Sequence, residues 1–124
     1  MTRAGAYRAG LAAEAIAALF LRLKGWRILA RREKTPVGEI DIIARKGDVT
    51  AFVEVKLRRK RAAALQAITP RQRRRIIRAA QWWLAGHGEA AAGACRFDLV
   101  TLNEWMWPRH AVSVFDGEEG GDVW

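Results

Sequence analysis

Four charged side chains interrupt two otherwise apolar runs between residues 38 and 56, and we call them the hairpin charges: Glu39, Asp41, Glu54 and Lys56. Mg²⁺ and Mn²⁺ prefer oxygen ligands, and Mg²⁺ takes one or two carboxylates while water and substrate phosphate fill its other positions. A cation between Asp41 and Glu54 could lower the pKa of an attacking water and stabilise charge on a phosphodiester. Lys56 could orient that water or neutralise the developing charge. The residue types therefore fit phosphodiester hydrolysis.

The same four residues also have a purely structural interpretation. Charges on one face of a hairpin can form the solvated side of an amphipathic ribbon, with cross-strand pairs worth roughly a few tenths of a kcal/mol each. Structural ion-pair networks also imitate catalytic sites. The spacing of the hairpin charges leaves both interpretations open.

Alternating apolar and polar residues on both sides of Lys46 to Val49 predict a β-hairpin. If Gly47 and Asp48 are the central residues of a tight turn, Gly47 supplies the positive φ that a type II′ turn needs first. That turn would place Asp41 opposite Glu54, and Glu39 opposite Lys56. All four charges would then emerge on one face. The other face would be covered by Ile40, Ile42, Val53 and Val55.

The remaining pattern predicts the order α-β-β-β-α-β-β, which gives an α/β or α+β fold with a mixed sheet flanked by helices. Helices are expected at residues 8–24 and, with Thr69 as N-cap and Pro70 at the first position, from Pro70 to about Ala85. Other strands are expected at residues 26–30, 97–102 and 111–115, and a polar connection at 31–37. The length suits one domain at residues 1–115, with residues 116–124 as a mobile tail.

The net charge of +9 favours a polyanionic partner, with nucleic acid first, through phosphate attraction and counterion release. Residues 55–88 contain no acid. The candidates for phosphate contacts lie in a loop and along one face of the second long helix: Arg58, Arg59, Lys60, Arg61, Arg71, Arg74, Arg75 and Arg78. Noncatalytic nucleic-acid binders have similar basic faces, so charge alone does not indicate catalysis.

Cysteine and histidine usage excludes two kinds of site. The single cysteine, Cys95, cannot form an internal disulfide, and with two histidines the chain lacks a Cys-type zinc framework. The first residues do not form a basic leader followed by an uninterrupted apolar run. We therefore expect neither secretion nor a membrane partner, and we expect a cytoplasmic location.

The sequence G-E-I-D-I-I-A, followed by F-V-E-V-K-x-R, closely resembles the YraN-like family of uncharacterised bacterial proteins, also called uncharacterised protein family 0102. An N-terminal A-E-x-x-A helix and a C-R-F-D-L-V strand extend the resemblance over roughly residues 10 to 115. That family is similar to the restriction-endonuclease-like PD-(D/E)xK superfamily, and in particular to archaeal Holliday-junction resolvases. Ile40 stands where the superfamily nominally has proline, at a chemically silent position.

The resemblance implies a restriction-endonuclease-like fold with a central mixed sheet flanked by helices. Residue by residue, it implies that Asp41 is the metal-binding acid, Glu54 the second ligand and Lys56 the catalytic lysine, with Mg²⁺ or Mn²⁺ as cofactor. DNA is the implied partner. Junction-cutting relatives act as dimers because two symmetric strands need two active centres, which implies a homodimer here.

Two further candidates lie on the predicted helices. Glu14 falls on a mostly apolar stripe, where a carboxylate needs a partner. It resembles the first-helix glutamate that joins the metal cluster of junction-resolvase-type sites, and the alternative is a boundary residue paired with Arg8 or Arg22. Gln72 extends the inward face of the second long helix, where it could bond the catalytic lysine or a water within the nucleic-acid site. Alternatively, Gln72 is an exposed residue of the first turn.

Glu39 is the last acidic candidate. It could tune the protonation of Lys56 or bind a second metal, and a plain cross-strand ion pair explains the same geometry. Asp98 is interpreted as structural, and His87 and His110 as isolated loop residues without a role.

These observations lead to a predicted metal-dependent endonuclease that hydrolyses DNA phosphodiester bonds, with branched or flapped DNA as candidate substrates. Two alternatives stay open. One is a noncatalytic nucleic-acid-binding or recombination-accessory protein on the same fold, and the other is an RNA nuclease.

Overall fold

The computed structural model describes residues 2–58 and 68–116, in which five strands form one sheet in the order β1-β2-β3-β4-β5. The strands are β1 (Arg27–Thr35), β2 (Gly38–Lys46), β3 (Val49–Leu57), β4 (Ala94–Leu102) and β5 (Pro108–Phe115). The helices are α1 (Arg3–Leu23), α2 (Pro70–Ala85) and the single-turn α3 (Gly88–Ala91). β3 and β4 pair in parallel and the other neighbours are antiparallel, so the sheet is mixed.

The two long helices cover opposite faces of the sheet. Consecutive strand residues point to opposite sides and therefore pack against different helices. The α1 face buries Ala13, Ala17, Ala18, Leu21, Ile42, Val53, Val100 and Leu102. The α2 face buries Ile40, Ile43, Phe52, Ile76, Ile77, Ala80, Trp83, Phe97 and Leu99. This arrangement confirms the predicted α/β class with a mixed sheet flanked by helices, and it is consistent with a restriction-endonuclease-like fold.

Capping explains where the two long helices begin. The Thr69 hydroxyl accepts from the Gln72 N–H at 3.2 Å, and the Gln72 side-chain oxygen accepts from the Thr69 N–H at 2.9 Å, which is a complete capping box. α2 therefore begins at Pro70 as predicted. α1 begins at Arg3 instead of residue 8, because the Thr2 hydroxyl accepts from the Gly5 N–H at 2.9 Å.

The α1 helix is long and apolar enough, by length and composition alone, to cross a membrane. Its small residues Ala13, Ala17 and Ala18 are nevertheless buried against the sheet, together with Leu21. One face of α1 therefore packs on the sheet.

The predicted polar connection at residues 31–37 is wrong, because β1 continues to Thr35. Glu33 pairs with Ile40 and Thr35 with Gly38, so β1 continues to pair with β2 up to the turn. The Thr35 hydroxyl then closes the turn by donating to the Gly38 carbonyl at 2.6 Å and accepting from the Val37 and Gly38 N–H groups. Polar residues are tolerated here because β1 is an edge strand of this sheet.

The predicted register of the β2–β3 hairpin is confirmed from Lys46 opposite Val49 to Ile42 opposite Val53, with Gly47 at φ +62°. The predicted face of Ile40 is wrong. Ile40 and Ile43 are both buried on the α2 face, whereas Ile42 is buried on the α1 face. The alternation of β2 therefore breaks at Asp41, where the pairing with β3 ends.

Replacing Thr69 tests whether the capping box secures α2. We expect Thr69→Ala to lower the free energy of unfolding by about 1 kcal/mol, because the N-terminal N–H groups lose their acceptor. Thr69→Ser keeps a hydroxyl and should unfold at nearly the wild-type urea concentration. Equal unfolding midpoints for Thr69→Ala and wild type would contradict this role of the cap.

Candidate active site

Asp41 lies in the slot between β2 and β3, at the point where the backbone pairing of the two strands stops. Its Oδ2 accepts a hydrogen bond from the Val55 N–H at 2.8 Å, so the side chain replaces a missing ladder bond. The Asp41 carboxyl is also hydrogen-bonded to the carboxyl of Glu54. Two acids from neighbouring strands therefore meet at the end of the hairpin pairing.

Burial changes the protonation of this acid pair. Burial raises the pKa of Asp41, although the Val55 N–H and the bond with Glu54 oppose that rise. Burial, followed by the charge of Asp41, raises the pKa of Glu54 to about 8, and Lys56 opposes that rise. At neutral pH the pair consequently retains a proton between two acids that would otherwise repel each other.

Lys56 completes the central group of charges. Its Nζ lies 3.6 Å from Glu54 Oε1, and the two side chains are only 20% and 16% exposed. The two residues are two apart on β3 and therefore lie on the same face of the sheet. Of the hairpin charges, the structure thus brings together Asp41, Glu54 and Lys56.

Glu14 and Glu39 lie beside this group and share a partner that the sequence interpretation missed. The Nε atom of Arg32, on β1, is 3.9 Å from Glu14 Oε2 and 3.9 Å from Glu39 Oε1. Arg32 therefore takes the place that was proposed for Arg8 or Arg22 beside Glu14. Glu39 is also paired with Arg32, while Lys56 lies against Glu54.

The carboxyl of Glu14 is poorly satisfied. Its side chain is 13% exposed, and within the part of the chain that the structure describes its Oε1 is buried without a hydrogen-bond partner. Burial, and next the charge of Asp41, raises the pKa of Glu14. The effect of Asp41 indicates that Glu14 belongs to the same electrostatic group as the acid pair.

The side chains of this site could supply only some of the ligands of a divalent cation. Within residues 2–58 and 68–116, no three Asp, Glu, His or Cys side chains are close enough together to form a ready-made metal cluster. Mg²⁺ needs only one or two carboxylates when water and phosphate supply the rest. Asp41 and Glu54 meet that requirement, and the unpartnered Oε1 of Glu14 is a further oxygen available beside them.

The basic face of α2 is brought close to β2. Its exposed arginines are Arg71, Arg74, Arg75 and Arg78. Arg75 packs so closely on Gly38 that a Cβ at Gly38 would lie 2.8 Å from Arg75 Cγ, hence glycine is required there. Because Gly38 begins β2, the basic face lies near the strand that carries Asp41.

The other nucleic-acid candidates are placed differently. Gln72 is exposed and its side-chain oxygen caps α2. Arg58 is exposed, and its N–H donates to the Leu102 carbonyl at 2.9 Å. The predicted contacts Arg59, Lys60 and Arg61 lie outside the described residues, as does the predicted tail beyond residue 116.

Another acid, Asp98 on β4, is fully buried, and its carboxylate is hydrogen-bonded by groups of the same fold. It accepts from His110 Nε2 at 2.7 Å, from the Arg96 guanidinium at 3.0 Å and from the Ser113 N–H at 3.0 Å. Burial alone would raise its pKa, but these bonds hold the pKa of Asp98 below its usual value. The description of His110 as an isolated loop residue is wrong, since it lies on β5 and binds Asp98.

His87 also has neighbours. It is the N-cap residue of α3, its ring stacks on Trp83 with centroids 3.8 Å apart, and its Nδ1 lies 2.7 Å from the Trp83 carbonyl. These contacts could not be read from the sequence, because they depend on how α2 ends.

Comparison with known proteins places this α/β domain in a family. The chain belongs to Uncharacterised protein family UPF0102, whose model matches residues 13–102. It is 51% identical over 114 residues to a UPF0102 protein of Bradyrhizobium diazoefficiens, covering 92% of this chain and 86% of the relative. It is 47% identical over 116 residues to a UPF0102 protein of Mesorhizobium japonicum, covering 94% of this chain and 93% of that relative. The resemblance found in the motifs is confirmed, and the family is itself uncharacterised.

The proton held by the acid pair should make stability depend on pH. In the unfolded chain Glu54 ionises near 4.5, whereas in the folded protein its pKa is about 8. Between these values the folded state binds more protons, so without divalent ions the free energy of unfolding should fall as pH rises, by up to about 1.4 kcal/mol per pH unit. Urea unfolding in chelator from pH 5 to 8.5 measures this slope.

Glu54→Gln is the matched variant for that measurement, because an amide keeps the shape of the side chain without ionising. The difference in free energy of unfolding between Glu54→Gln and wild type should grow in favour of the variant as pH rises. Parallel curves for the two proteins would contradict the proposed state of the acid pair.

Proposed function

We propose that this protein is a cytoplasmic, Mg²⁺- or Mn²⁺-dependent nuclease that hydrolyses phosphodiester bonds of DNA. The observation that carries the proposal is the partly buried meeting of Asp41 and Glu54 at the end of the hairpin pairing, with Lys56 Nζ 3.6 Å from Glu54. Two acids and a lysine on adjacent strands form a compact group of charges, and burying such a group costs free energy. A costly group of charges with shifted pKa values is a candidate functional site.

Asp41 and Glu54 would hold the cation, with Glu14 as a further oxygen ligand. When bound, such a cation lowers the pKa of a coordinated water and stabilises the negative charge that develops on a phosphodiester. The protein supplies the geometry, since Asp41 is fixed by the Val55 N–H and Glu54 by its place in a paired strand. A fixed ligand set needs little reorganisation during the reaction.

Lys56 would act at the reacting phosphate. Its ammonium group can donate hydrogen bonds to the attacking water or to a phosphate oxygen. Its neighbour Glu54 restrains it at 3.6 Å, so the positive charge stays beside the acid pair. Hydrolysis would transfer the hydroxyl of the water to phosphorus, break one P–O bond and leave a proton for the departing oxygen.

The basic face of α2 would hold the nucleic-acid backbone. Arginine forks bind phosphate oxygens in two-point contacts, and such contacts provide affinity without reading the base sequence. The packing of Arg75 on Gly38 brings this face to the β2 end of the site. We therefore expect binding that weakens steeply with salt and depends little on sequence.

A cleavage panel tests the proposal. Plasmid, single-stranded DNA, branched DNA and RNA are incubated with the protein and Mg²⁺ or Mn²⁺. We expect DNA cleavage by wild type, and a loss on the order of 100-fold or more in Asp41→Asn and Lys56→Ala, because each removes a charge that acts at the reacting phosphate. Asp48→Asn removes an exposed acid of the hairpin turn and should leave cleavage unchanged.

The panel also separates the alternatives. Wild type that binds nucleic acid in a salt-dependent way but cuts nothing with either metal would favour an accessory binding protein. Cleavage confined to RNA would favour an RNA nuclease. Equal cleavage by wild type, Asp41→Asn and Lys56→Ala would identify a contaminant and overturn the assignment of this site.

A further inference from the structure

The strand register places Arg32 next to Asp41 on the neighbouring strand. Its chain neighbours Arg31 and Glu33 pair with Ile42 and Ile40, which flank Asp41 on β2. In the sheet order β1-β2-β3, Asp41 is therefore bordered by Arg32 on one side and by Glu54 and Lys56 on the other.

The backbone of Arg32 is strained. Its φ is +52°, in the left-handed region that disfavours side chains other than glycine, asparagine and aspartate. Such a backbone conformation within a strand lowers the stability of the fold. Its ion pairs at 3.9 Å with Glu14 and Glu39 involve a side chain that is 38% exposed, and solvent-screened pairs of this kind contribute little to stability. Stability alone therefore does not account for arginine at this position.

The guanidinium group is held in place by three side chains from two other elements. It donates from Nη2 to the Tyr7 hydroxyl at 3.2 Å and lies 5.6 Å from the centre of the Tyr7 ring, both on α1. Its Nε faces Glu14 on α1 and Glu39 on β2. A side chain fixed in this way loses little conformational freedom when it binds a ligand.

The charge balance of the site calls for a cation on this side. A phosphate that approaches Asp41 and Glu54 also approaches Glu14 and Glu39, and like charges repel it. Lys56 offsets that repulsion from β3. Arg32 is the cation placed to offset it from β1, and its planar fork suits phosphate oxygens.

We propose that Arg32 contacts a backbone phosphate of the bound nucleic acid, on the β1 side of the acid pair. This proposal rests on the proposed function, because it takes nucleic acid as the ligand of the site. Glu14, Glu39 and Tyr7 hold the guanidinium in position, and the left-handed backbone directs it there. Arg32 is a binding residue beside the acid pair, and its role does not depend on the cation.

The proposal is tested by nucleic-acid binding in chelator, so that no metal or cleavage is involved. A fluorescent DNA oligonucleotide is titrated with wild type, Arg32→Gly and Arg32→Lys over a range of salt concentrations. Glycine tolerates positive φ, so Arg32→Gly should be at least as stable as a variant with any other side chain at this position. Arg27→Gln removes an exposed positive charge from the far end of β1 and serves as the control for net charge.

We expect Arg32→Gly to bind DNA about tenfold more weakly than wild type, because it loses one charge-assisted phosphate contact. The slope of log affinity against log salt should become shallower by about 0.9, the value for one neutralised phosphate. Arg32→Lys should keep the slope and lose affinity by a few-fold, since lysine lacks the fork. Arg27→Gln should change both quantities less than Arg32→Gly does.

Three outcomes would overturn the proposal. Arg32→Gly with wild-type affinity and slope would leave Arg32 as a counter-ion of Glu14 and Glu39 only, whatever its effect on stability. Equal losses in Arg32→Gly and Arg27→Gln would reduce the effect to net charge. Wild type that binds no nucleic acid in chelator and cuts none with Mg²⁺ or Mn²⁺ would defeat the proposed function itself, whereas wild type that binds and cleaves while Arg32→Gly matches it would defeat this inference alone.

Discussion

The hydrogen bond from the Val55 N–H to the Asp41 carboxylate is the interaction on which the site depends. It occurs where the β2–β3 ladder ends, and it gives the Val55 N–H an acceptor that the backbone of β2 no longer supplies. The same bond draws Asp41 into the slot between the strands and against Glu54. It also accompanies the break in alternation that sends Ile40 to the α2 face. One local departure from regular pairing thus creates the acid pair.

The single acid Asp98 and the acids around Asp41 show contrasting solutions to the cost of burial. Asp98 accepts bonds from His110, Arg96 and the Ser113 N–H, and its pKa is held low, so it needs nothing from outside the fold. Asp41, Glu54 and Glu14 have raised pKa values, and Glu14 has a buried oxygen without a partner among the described residues. The first arrangement satisfies the carboxylate from within the fold, whereas the second leaves carboxylate oxygens that an added cation would neutralise under the proposed function. This contrast within one protein supports the proposal that the acid pair is the functional site.

Sequence patterns predicted much of this fold. The cap at Thr69, the glycine in the hairpin turn and the alternation of the two strands determine α2 and the register of β2 with β3 locally. The family motifs likewise brought Asp41, Glu54 and Lys56 into consideration. The sequence did not reveal β1 beyond Ala30, because an edge strand can be polar on both sides. The role of Arg32 was missed for the same reason, and the bonds of His110 to Asp98 depend on contacts between distant segments.

We propose that Asp41 and Glu54 hold a divalent cation, and that a shared proton takes its place when the ion is absent. Titration calorimetry with Mn²⁺ at pH 7, repeated in two buffers of different ionisation enthalpy, tests it most directly, since the difference in heat counts the protons released. We expect saturable binding with release of about one proton per ion in wild type, and loss of that binding in Asp41→Asn. Absence of uptake by wild type, or uptake that Asp41→Asn leaves unchanged, would contradict it.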